Sequence, residues 1–412
     1  MTQPSRIHLF QGYGVELEYM IVDKDTLSVM PIADELLKNV LGKYGSDFEN
    51  GSVTWSNELV LHVVELKSTH PESNFNELDH AFAGDVTRIN SILTPWNAML
   101  MPTAAHPFMN PITETRLWPH DSNEVYEAYN KIFDARGHGW SNLQSTHLNL
   151  PFYDDEEFAK LHAAVRLVLP LLPALCASSP LLEGKITGFL DTRLNFYKTN
   201  QIKIPSITGK VIPEAIFSKR QYLNSIYEKI KSDIAPYDPA RVLNPIWVNS
   251  RGAIPRFDRG SIEIRIMDIQ ECPVADLAII NFVIETIKAF VREKFVRLEE
   301  QMKQQTDSLA VMLDDTARQG QQSKIGDSEY LALFGIQGAV TAREALQHIF
   351  DRLLSWNPGL EQWRPELSII LSEGTLSERI LKALKGDYSP ESIKTIYKKL
   401  SSCLAQDKMF VP

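Results

Sequence analysis

Two glutamates alternate with apolar residues in the segment Gly14-Val15-Glu16-Leu17-Glu18-Tyr19. Successive side chains of a β-strand point to opposite faces, so a strand here would place Glu16 and Glu18 on one face and the apolar residues on the other. Two carboxylates on one face could bind a divalent cation. A strand with one face in water has the same pattern, so this segment alone leaves both interpretations open.

The same alternation recurs in three further segments. Their polar pairs are Glu65 with Lys67, His147 with Asn149, and Glu263 with Arg265. If the four strands are neighbours in one sheet, these side chains converge on one face. Clustered carboxylates repel one another unless a cation neutralises them, and Mg²⁺ prefers oxygen ligands that it shares with phosphates. The pattern therefore predicts a site for divalent metal and phosphate.

Glu58 precedes Glu65 by seven residues. An odd separation places two side chains on opposite faces of a straight strand. Both glutamates can belong to one site only if the chain turns or bulges between them. The spacing alone therefore favours Glu65 over Glu58 as a ligand.

The loops that usually bind nucleotide phosphates are missing from the sequence. It contains no GxxxxGK[ST] motif, and the Gly-x-Gly pairs that begin at Gly12 and Gly137 lack the third glycine. The sequence therefore argues against P-loop and Rossmann nucleotide sites. Arg251, Arg256 and Arg259 lead into the Glu263 segment and are expected to face phosphate oxygens. Residues 198–231, with seven basic and two acidic side chains, form either a cover over an anionic substrate or an exposed loop with scattered lysines.

Composition excludes several classes of protein. The chain has 412 residues, 42 basic and 52 acidic side chains, and a net charge of −10. Its 44% hydrophobic and 23% charged residues are typical of a globular protein, not of a disordered chain or a coiled coil. The acidic balance argues against a general nucleic-acid-binding protein, which needs a clustered basic surface.

The cysteines and the apolar runs predict a cytoplasmic protein. Three widely separated cysteines form neither a disulfide framework nor a zinc motif. The N-terminus has no long apolar run, so no signal peptide is expected. The run from Leu167 to Leu182 is interrupted by three prolines and is shorter than the ~20 residues of a membrane span. It is predicted to be a buried, kinked helix.

The order of the elements favours an α+β fold with an antiparallel sheet, because strands and helices do not alternate strictly. Strands are predicted in the first 70 residues, at 146–150 and at 261–268, and helices at 74–93, at 155–177 and from about 274 onward. Capping boxes are predicted at Thr341 and Thr375. The Gln-rich stretch 315–327 is predicted to be a mobile connection.

Five motifs occur in a characteristic order. They are GVELE at 14–18, HPF at 106–108, QSTHLNL at 144–150, SSPLLEGKITG at 178–188 and IEIRIMD at 262–268. Together they resemble the carboxylate–amine ligase family of the glutamate–cysteine ligase type 2, over roughly residues 10–290. The resemblance implies a glutamine-synthetase-like α+β fold: a curved antiparallel β-sheet funnel with flanking helices and a helical C-terminal part. Residues 1–300 would be the catalytic domain, and residues 301–412 a helical region packed on it.

The resemblance also implies an activity. The enzyme would use ATP and Mg²⁺, with Mn²⁺ as a substitute, to join an amino-acid carboxylate to an amine through an acyl phosphate. The amide would be of the γ-glutamyl type, as in glutathione biosynthesis. The expected partners are small-molecule substrates, without nucleic acid or membrane, and the apolar C-terminal helices are compatible with a homodimer.

Site residues follow from the resemblance by position. The implied metal ligands are Glu16, Glu18, Glu58, Glu65, His147 and Glu263. The spacing of seven between the second-region acids is that of the family and supports Glu58. Arg265 and Arg193 are the implied catalytic residues, and Arg256, Arg259, Lys67 and Asn149 are expected to bind the nucleotide.

Two other functions stay open at this point. The same fold could transfer a phosphoryl group to a guanidino or amine acceptor, or the chain could be a non-catalytic ligand-binding relative. A non-catalytic relative would be expected to have lost acidic residues, whereas all six metal positions hold competent side chains. Leu181 and Leu182, in place of aromatic residues, and Leu190-Asp191-Thr192, in place of a serine-containing run, depart from the family pattern and leave the substrates open.

Overall fold

The computed structural model describes residues 6–412 of the chain. The strands are β1 Gly14–Asp23, β2 Asp47–Asn50, β3 Val53–Asn57, β4 Val63–Ser68, β5 Ala98–Met101, β6 Ser145–Pro151, β7 Leu181–Leu182, β8 Lys185–Ile186, β9 Ala253–Arg256, β10 Ser261–Asp268, β11 Lys324–Ile325 and β12 Val340–Thr341. The helices before residue 270 are α1 Ala33–Leu41, α2 Phe75–Leu93, α3 Pro111–Glu114, α4 Asn123–Phe133, α5 His138–Ser141, α6 Asp155–Val168, α7 Pro173–Cys176, α8 Thr192–Tyr197, α9 Lys219–Tyr222, α10 Glu228–Ile234 and α11 Pro245–Val248. The later helices are α12 Pro273–Val291, α13 Leu298–Met302, α14 Thr306–Gln319, α15 Ser328–Leu333, α16 Ala342–Trp356, α17 Arg364–Glu373, α18 Leu376–Leu384 and α19 Pro390–Gln406.

An eight-stranded antiparallel sheet forms the centre of the molecule. Seven strands follow the order β2-β3-β4-β1-β6-β10-β9, and β5 pairs with the second half of β1. The four strands with alternating polar residues, β4, β1, β6 and β10, are therefore adjacent. The predicted combination of helices with an antiparallel sheet is confirmed.

One face of this sheet is packed against helices. Val15, Leu17, Tyr19 and Ile21 of β1 are fully buried in the core cluster that includes residues of α2, α6 and α12. Because side chains alternate along the strand, the glutamates of β1 point to the opposite face. The apolar residues of β1 thus determine which face of the sheet the helices cover and which face carries the glutamates.

Several predicted helices are confirmed. Asn74 begins α2, since its side chain accepts a hydrogen bond from the Glu77 amide. The apolar run from Leu167 is buried, as predicted, and a 3₁₀ turn at Leu169–Leu171 separates α6 from α7. Thr341 and Thr375 form the capping boxes of α16 and α18. No helix among residues 6–412 has both the length and the apolar character needed to cross a membrane.

Two local predictions are wrong. The first 70 residues contain not only strands but also α1, which ends at Gly42 in a left-handed conformation (φ 73°). The stretch 315–327 is not an irregular connection, because α14 continues to Gln319 and Gln321 is buried. Two of its polar side chains donate to backbone carbonyl oxygens: Thr316 to that of Pro170 at 2.7 Å and Gln321 to that of Ile370 at 2.7 Å. The polar composition suggested a mobile loop. The structure instead packs these side chains against the protein, where backbone carbonyl oxygens accept their hydrogen bonds.

A buried ion pair fastens the C-terminal segment to the end of the central sheet. Arg379 in α18 pairs with Glu271, which follows β10, and both side chains are fully buried. Glu271 also accepts from the Phe410 amide at 3.0 Å, and Arg379 donates to the Phe410 carbonyl at 2.5 Å. The pair therefore satisfies backbone groups close to the end of the chain as well as each other.

Replacing Glu271 with alanine is expected to lower the free energy of unfolding by about 3–5 kcal/mol, because it leaves the Arg379 charge buried without its partner. Urea denaturation followed by circular dichroism measures this change. Glu361→Ala is the matched control, since the Glu361–Arg364 pair lies at the surface and such pairs contribute about 0–1 kcal/mol. Equal losses for both variants would contradict this assignment.

His106, in the HPF motif, holds the loop that follows β5. Its Nε2 donates to the Leu27 carbonyl at 2.6 Å, and its Nδ1 accepts from the amides of Phe108 and Met109 at 3.0 and 2.9 Å. Burial lowers the pKa of His106 to about 4. Protonation of Nδ1 would break two hydrogen bonds, so the folded protein requires the neutral ring.

Stability contributed by neutral His106 is expected to be lost as the pH falls from about 6.5 to about 4. The unfolded chain binds a proton on this histidine in that range and the folded chain does not, so stability rises with pH. The full difference amounts to about 3 kcal/mol. His106→Gln should flatten the dependence of unfolding free energy on pH relative to the parent protein. His70→Gln, at an exposed histidine, is the matched control; a parallel change in both variants would refute the assignment.

Candidate functional site

Strand register places the polar side chains next to one another. Glu16 of β1 lies opposite Lys67 of β4 on one side and His147 of β6 on the other. Glu18 lies opposite Glu65. Because paired residues of antiparallel strands point to the same face, the alternating segments share one surface. The polar side chains of the four strands thus converge on one face of the sheet, as the sequence pattern predicted.

The first potential metal-binding group consists of Glu16, Glu65 and His147, whose ligand atoms lie within 4.8 Å of one another. His147 Nδ1 is 2.8 Å from Glu16 Oε2, and Asn149 donates to Glu16 Oε1 at 2.9 Å. Burial opposes ionisation, yet the hydrogen bond and charge of His147 lower the pKa of Glu16 to about 2. Glu16 in turn overcomes burial and raises the pKa of His147 to about 9. The charges of Glu16 and His147 therefore stabilise each other within the sheet.

The second group consists of Glu18, Glu58 and Glu65, again with ligand atoms within 4.8 Å. Ser145 donates to Glu18 Oε2 through its amide at 2.7 Å and its hydroxyl at 3.0 Å. Glu58 directly follows β3, and the chain turns before β4, so the condition set by the odd spacing is met. Burial, together with the charges of Glu18 and Glu65, raises the pKa of Glu58 well above its ordinary value.

Glu65 belongs to both groups. It accepts from the Ser56 hydroxyl at 2.6 Å, and Lys67 Nζ lies 3.1 Å from its Oε1. Burial and the Glu16 charge raise the pKa of Glu65 to about 7. This buried carboxylate is therefore held in place by β3 and β4 while it lies between two acidic clusters.

The donor chemistry of these two groups fits Mg²⁺ or Mn²⁺. Carboxylate oxygens are the preferred ligands of both ions, and one imidazole is compatible with Mn²⁺. Glu18, Glu58 and Glu65 repel one another when they are ionised. A bound cation would therefore stabilise their ionised forms. The residues present therefore fit the metal ions that the family resemblance implies.

Glu263, the sixth implied ligand, lies in neither group among residues 6–412. Its Oε1 is 3.1 Å from Arg265 Nε and its Oε2 is 3.3 Å from Arg256 Nη1. β10 therefore brings Glu263 onto the same face, where it lies beside two arginines.

A cavity of about 620 Å³ covers this face of the sheet. The implied metal ligands Glu16, Glu58, Glu65, His147 and Glu263 line it, together with Lys67, Asn149, Arg256, Arg259 and Arg265. Gly14 forms part of its wall beside Asn149, where a Cβ atom would lie only 3.0 Å from the Asn149 Cβ. The cavity combines a cluster of acids with four cationic side chains and is large enough for a nucleotide-sized ligand.

A second cavity of about 200 Å³ adjoins the first at Glu58, His147 and Arg265. Glu18 and Arg193 line it. Arg193 is buried, and its Nε donates to Asp268 Oδ1 at 2.6 Å. The structure therefore places Arg193 in the smaller cavity, while Arg265 reaches both.

Sequence reasoning missed the other walls of the smaller cavity. They are the aromatic residues Tyr126, Tyr129, Trp140, Tyr197 and Trp247. These residues come from α4, α5, α8 and α11. No single segment carries a motif for them, because only the tertiary fold brings the four helices together.

The basic stretch 198–231 does not cover the large cavity in the part of the chain that the structure describes. Lys198 and Lys210 pair with Asp314 and Asp307 at 2.5 and 2.6 Å, which supports the exposed-loop interpretation. Arg251 also differs from its expected role, because it is buried in a two-pronged pair with Glu214 at 2.6 and 2.7 Å. Its neighbours Arg256 and Arg259 do line the large cavity, as predicted.

A model of the glutamate–cysteine ligase family 2 matches residues 13–399. The chain belongs to this family. An uncharacterised protein of Archaeoglobus fulgidus is 31% identical over 401 residues, which are 97% of this chain and all of the relative. A Rubrobacter xylanophilus protein provisionally named glutamate–cysteine ligase 2-3 is 23% identical over 83% of both chains. The family resemblance drawn from the five motifs is therefore confirmed.

Solved structures show the same fold at low sequence identity. A glutamate–cysteine ligase of Francisella tularensis, in complex with AMP, superposes with a TM-score of 0.57 at 14% identity, covering 96% of this chain and 88% of that one. A bifunctional glutathione synthetase of Pasteurella multocida gives 0.59 at 15% identity. It matches 95% of this chain, which spans about half (53%) of that larger protein.

Proposed function

We propose that this protein is an ATP- and Mg²⁺-dependent carboxylate–amine ligase that forms a γ-glutamyl or similar amide bond. The observation that carries the proposal is the pair of acidic groups joined at Glu65, on the wall of a cavity that also holds four cationic side chains. The family and the AMP-bound ligase that shares this fold support the assignment of ATP.

The nucleotide is assigned to the large cavity. Arg256 and Arg259 precede Glu263 along one wall, and Lys67 lies beside Glu65. Guanidinium groups and an ammonium group are suited to phosphate oxygens. Asn149, which donates to Glu16, would keep that carboxylate oriented toward a cation. The triphosphate would then run from the arginines toward the acidic groups.

Two successive bond changes account for the reaction. A carboxylate oxygen of the first substrate attacks the γ-phosphorus, the bond from that phosphorus to the ADP oxygen breaks, and ADP leaves. The nitrogen of the amine then attacks the acyl carbon, and the bond from that carbon to the phosphate oxygen breaks. The proton lost by the nitrogen leaves with the phosphate. Arg265, which reaches both cavities, would donate to the oxygens that gain charge in each step.

The metal ligands in this proposal are Glu16, Glu65 and His147 for one ion and Glu18, Glu58 and Glu65 for another. Bound Mg²⁺ would offset the charge of the triphosphate and lower the barrier to attack by an anion. Glu263 would join these ligands once nucleotide competes for its two arginines. No protein nucleophile is needed, so each of these side chains binds or orients a reactant.

The same proposal includes finer features of the enzyme. The sheet would act as the open, curved funnel of glutamine-synthetase-like enzymes, with residues 1–300 as the catalytic domain and 301–412 as a helical region that supports it. A cytoplasmic homodimer that serves glutathione-type biosynthesis is the setting that fits a family of this kind.

A phosphate-release screen with Mg²⁺–ATP tests the proposal. Amino-acid carboxylates are paired with amines, beginning with glutamate and cysteine, and products are identified by mass spectrometry. The expected result is one amide, one ADP and one phosphate for each turnover, with no release when either substrate is omitted. A phosphorylated amine, formed without free phosphate, would instead establish phosphoryl transfer and overturn the ligase assignment.

A further inference from the structure

The smaller cavity has a wall of ordered aromatic rings. Tyr129 and Trp140 meet edge to face at 5.6 Å between ring centroids. Phe133 stacks on Trp140, also at 5.6 Å, and stands partly buried behind it. Packing of this kind fixes ring orientation before any ligand binds. The cavity therefore presents a preformed apolar surface.

Trp247 forms another part of the wall and is 51% exposed. It lies in α11, which begins at Asn244, whose side chain accepts from the Ile246 amide at 2.9 Å. Few core contacts depend on an indole that is half exposed. Its indole extends the aromatic lining of the cavity, and ligand-binding cavities are lined mainly by apolar and aromatic side chains.

A buried cationic group lines the same cavity with unused donor capacity. Arg193 is 2% exposed, its Nε is bound to Asp268, and its Nη2 has no hydrogen-bond partner among residues 6–412. Buried donors are almost always paired in folded proteins. An oxygen of a ligand in the smaller cavity would complete the hydrogen bonds of this side chain.

We propose that the smaller cavity binds the acyl acceptor, and that this acceptor is an α-amino acid with an aromatic or branched apolar side chain. The inference rests on the proposed ligase function and extends it to a substrate class. The acceptor side chain would lie against Trp140, Tyr129 and Trp247, and its carboxylate would accept from Arg193 Nη2. Its amine would face the junction of the two cavities at Glu58, His147 and Arg265.

The aromatic lining favours the acceptor over the acyl donor for this cavity. Aromatic rings pack well against apolar groups and also attract ammonium groups. A γ-glutamyl donor has a carboxylate at each end and no apolar side chain to lie against the rings that line the cavity. An acceptor with an aromatic or branched apolar side chain would bury that side chain there.

Competition among acceptors tests this inference with the full-length enzyme. The donor is fixed as the one that gives turnover in the phosphate-release screen, and the acceptors are L-phenylalanine, L-leucine, L-cysteine, L-alanine and 2-phenylethylamine. We expect kcat/KM for phenylalanine and leucine to exceed that for alanine and cysteine by about tenfold or more, the range that a buried apolar group contributes. Phenylalanine should exceed 2-phenylethylamine by a similar factor, because only phenylalanine has a carboxylate for Arg193.

Two variants assign these preferences to residues. Trp247→Ala is expected to reduce the phenylalanine-to-alanine ratio at least fivefold while the KM for ATP stays unchanged. Arg193→Lys should reduce the ratio of phenylalanine to 2-phenylethylamine. Trp96→Ala is the matched control, because Trp96 is partly exposed and lies outside both cavities; it should change neither ratio.

The outcomes separate this inference from the proposed function. Turnover with a preference for cysteine or alanine, or ratios that the variants leave unchanged, would overturn the acceptor assignment and preserve the ligase. Equal rates for phenylalanine and 2-phenylethylamine would overturn the role of Arg193. Absence of ATP turnover with every pair of substrates would overturn the ligase function and the inference together.

Discussion

Replacing Glu65 with glutamine is expected to lower kcat/KM for Mg²⁺–ATP by about a thousandfold, which corresponds to about 4 kcal/mol of lost transition-state stabilisation. Glu65 is the residue common to both acidic groups, so its loss would weaken both metal positions. Glutamine keeps the size of the side chain and a carbonyl oxygen but removes the negative charge. The rate of phosphate release at varied Mg²⁺–ATP measures the change.

Metal binding provides a second measurement for the same variant. Calorimetric titration with Mn²⁺, without nucleotide, should show weaker binding to Glu65→Gln than to the parent protein. Glu49→Gln is the matched control, since Glu49 is an exposed residue of β2 in the same sheet and lies outside both cavities. Parent-like turnover and Mn²⁺ affinity in a folded Glu65→Gln protein would refute the two-group assignment.

Prediction from sequence succeeded where local periodicity coincides with burial. In β1 the alternation separates Val15 and Leu17, which are fully buried, from Glu16, which lines the large cavity, and Glu18, which lines the smaller one. β10 begins and ends where it was predicted, at Ser261 and Asp268. A strand has only two faces, so one apolar set is enough to orient every other residue along it.

Strand order could not be derived from periodicity. Residues of β1 and β6 are separated by more than 120 positions, yet Glu16 pairs with His147. Only the ordered set of family motifs indicated that these segments belong to one site. Glu58 illustrates the same limit, because its membership depends on a turn that spacing permits but does not require.

The basic residues that the sequence analysis misplaced form ion pairs with acids that are distant in the chain. Arg251 is close in sequence to Arg256, but its buried guanidinium is paired with Glu214, so its charge is not available in the large cavity. Lys198 and Lys210, of the basic stretch 198–231, likewise pair with acids on α14. Their partners lie roughly 100 residues away in the chain, so local composition cannot predict these contacts.

Replacing Arg265 with lysine is expected to lower kcat about a hundredfold and to leave the KM for ATP within threefold of the parent value. Arg265 lies at the junction of both cavities, with its Nε 3.1 Å from Glu263 Oε1. Burial opposes its charge, but Glu263 and neighbouring acids raise the pKa of its guanidinium further, so the group stays cationic. Lysine keeps the charge and loses the planar fork, which matches oxygens that gain charge during the reaction. Steady-state kinetics at saturating substrates separates kcat from KM.

Whether the substitution changes kcat or the KM for ATP shows the role of Arg265. A group that acts only on the transition state lowers kcat and kcat/KM together, whereas a group that binds the ground state raises KM alone. Arg136→Lys supplies the matched control, because Arg136 is exposed and paired with Asp134 at the surface; its kcat should stay within twofold of the parent. An Arg265→Lys protein with unchanged kcat and a higher KM for ATP would limit Arg265 to nucleotide binding. The stabilisation of developing charge would then fall to Arg193, the other arginine that lines the smaller cavity.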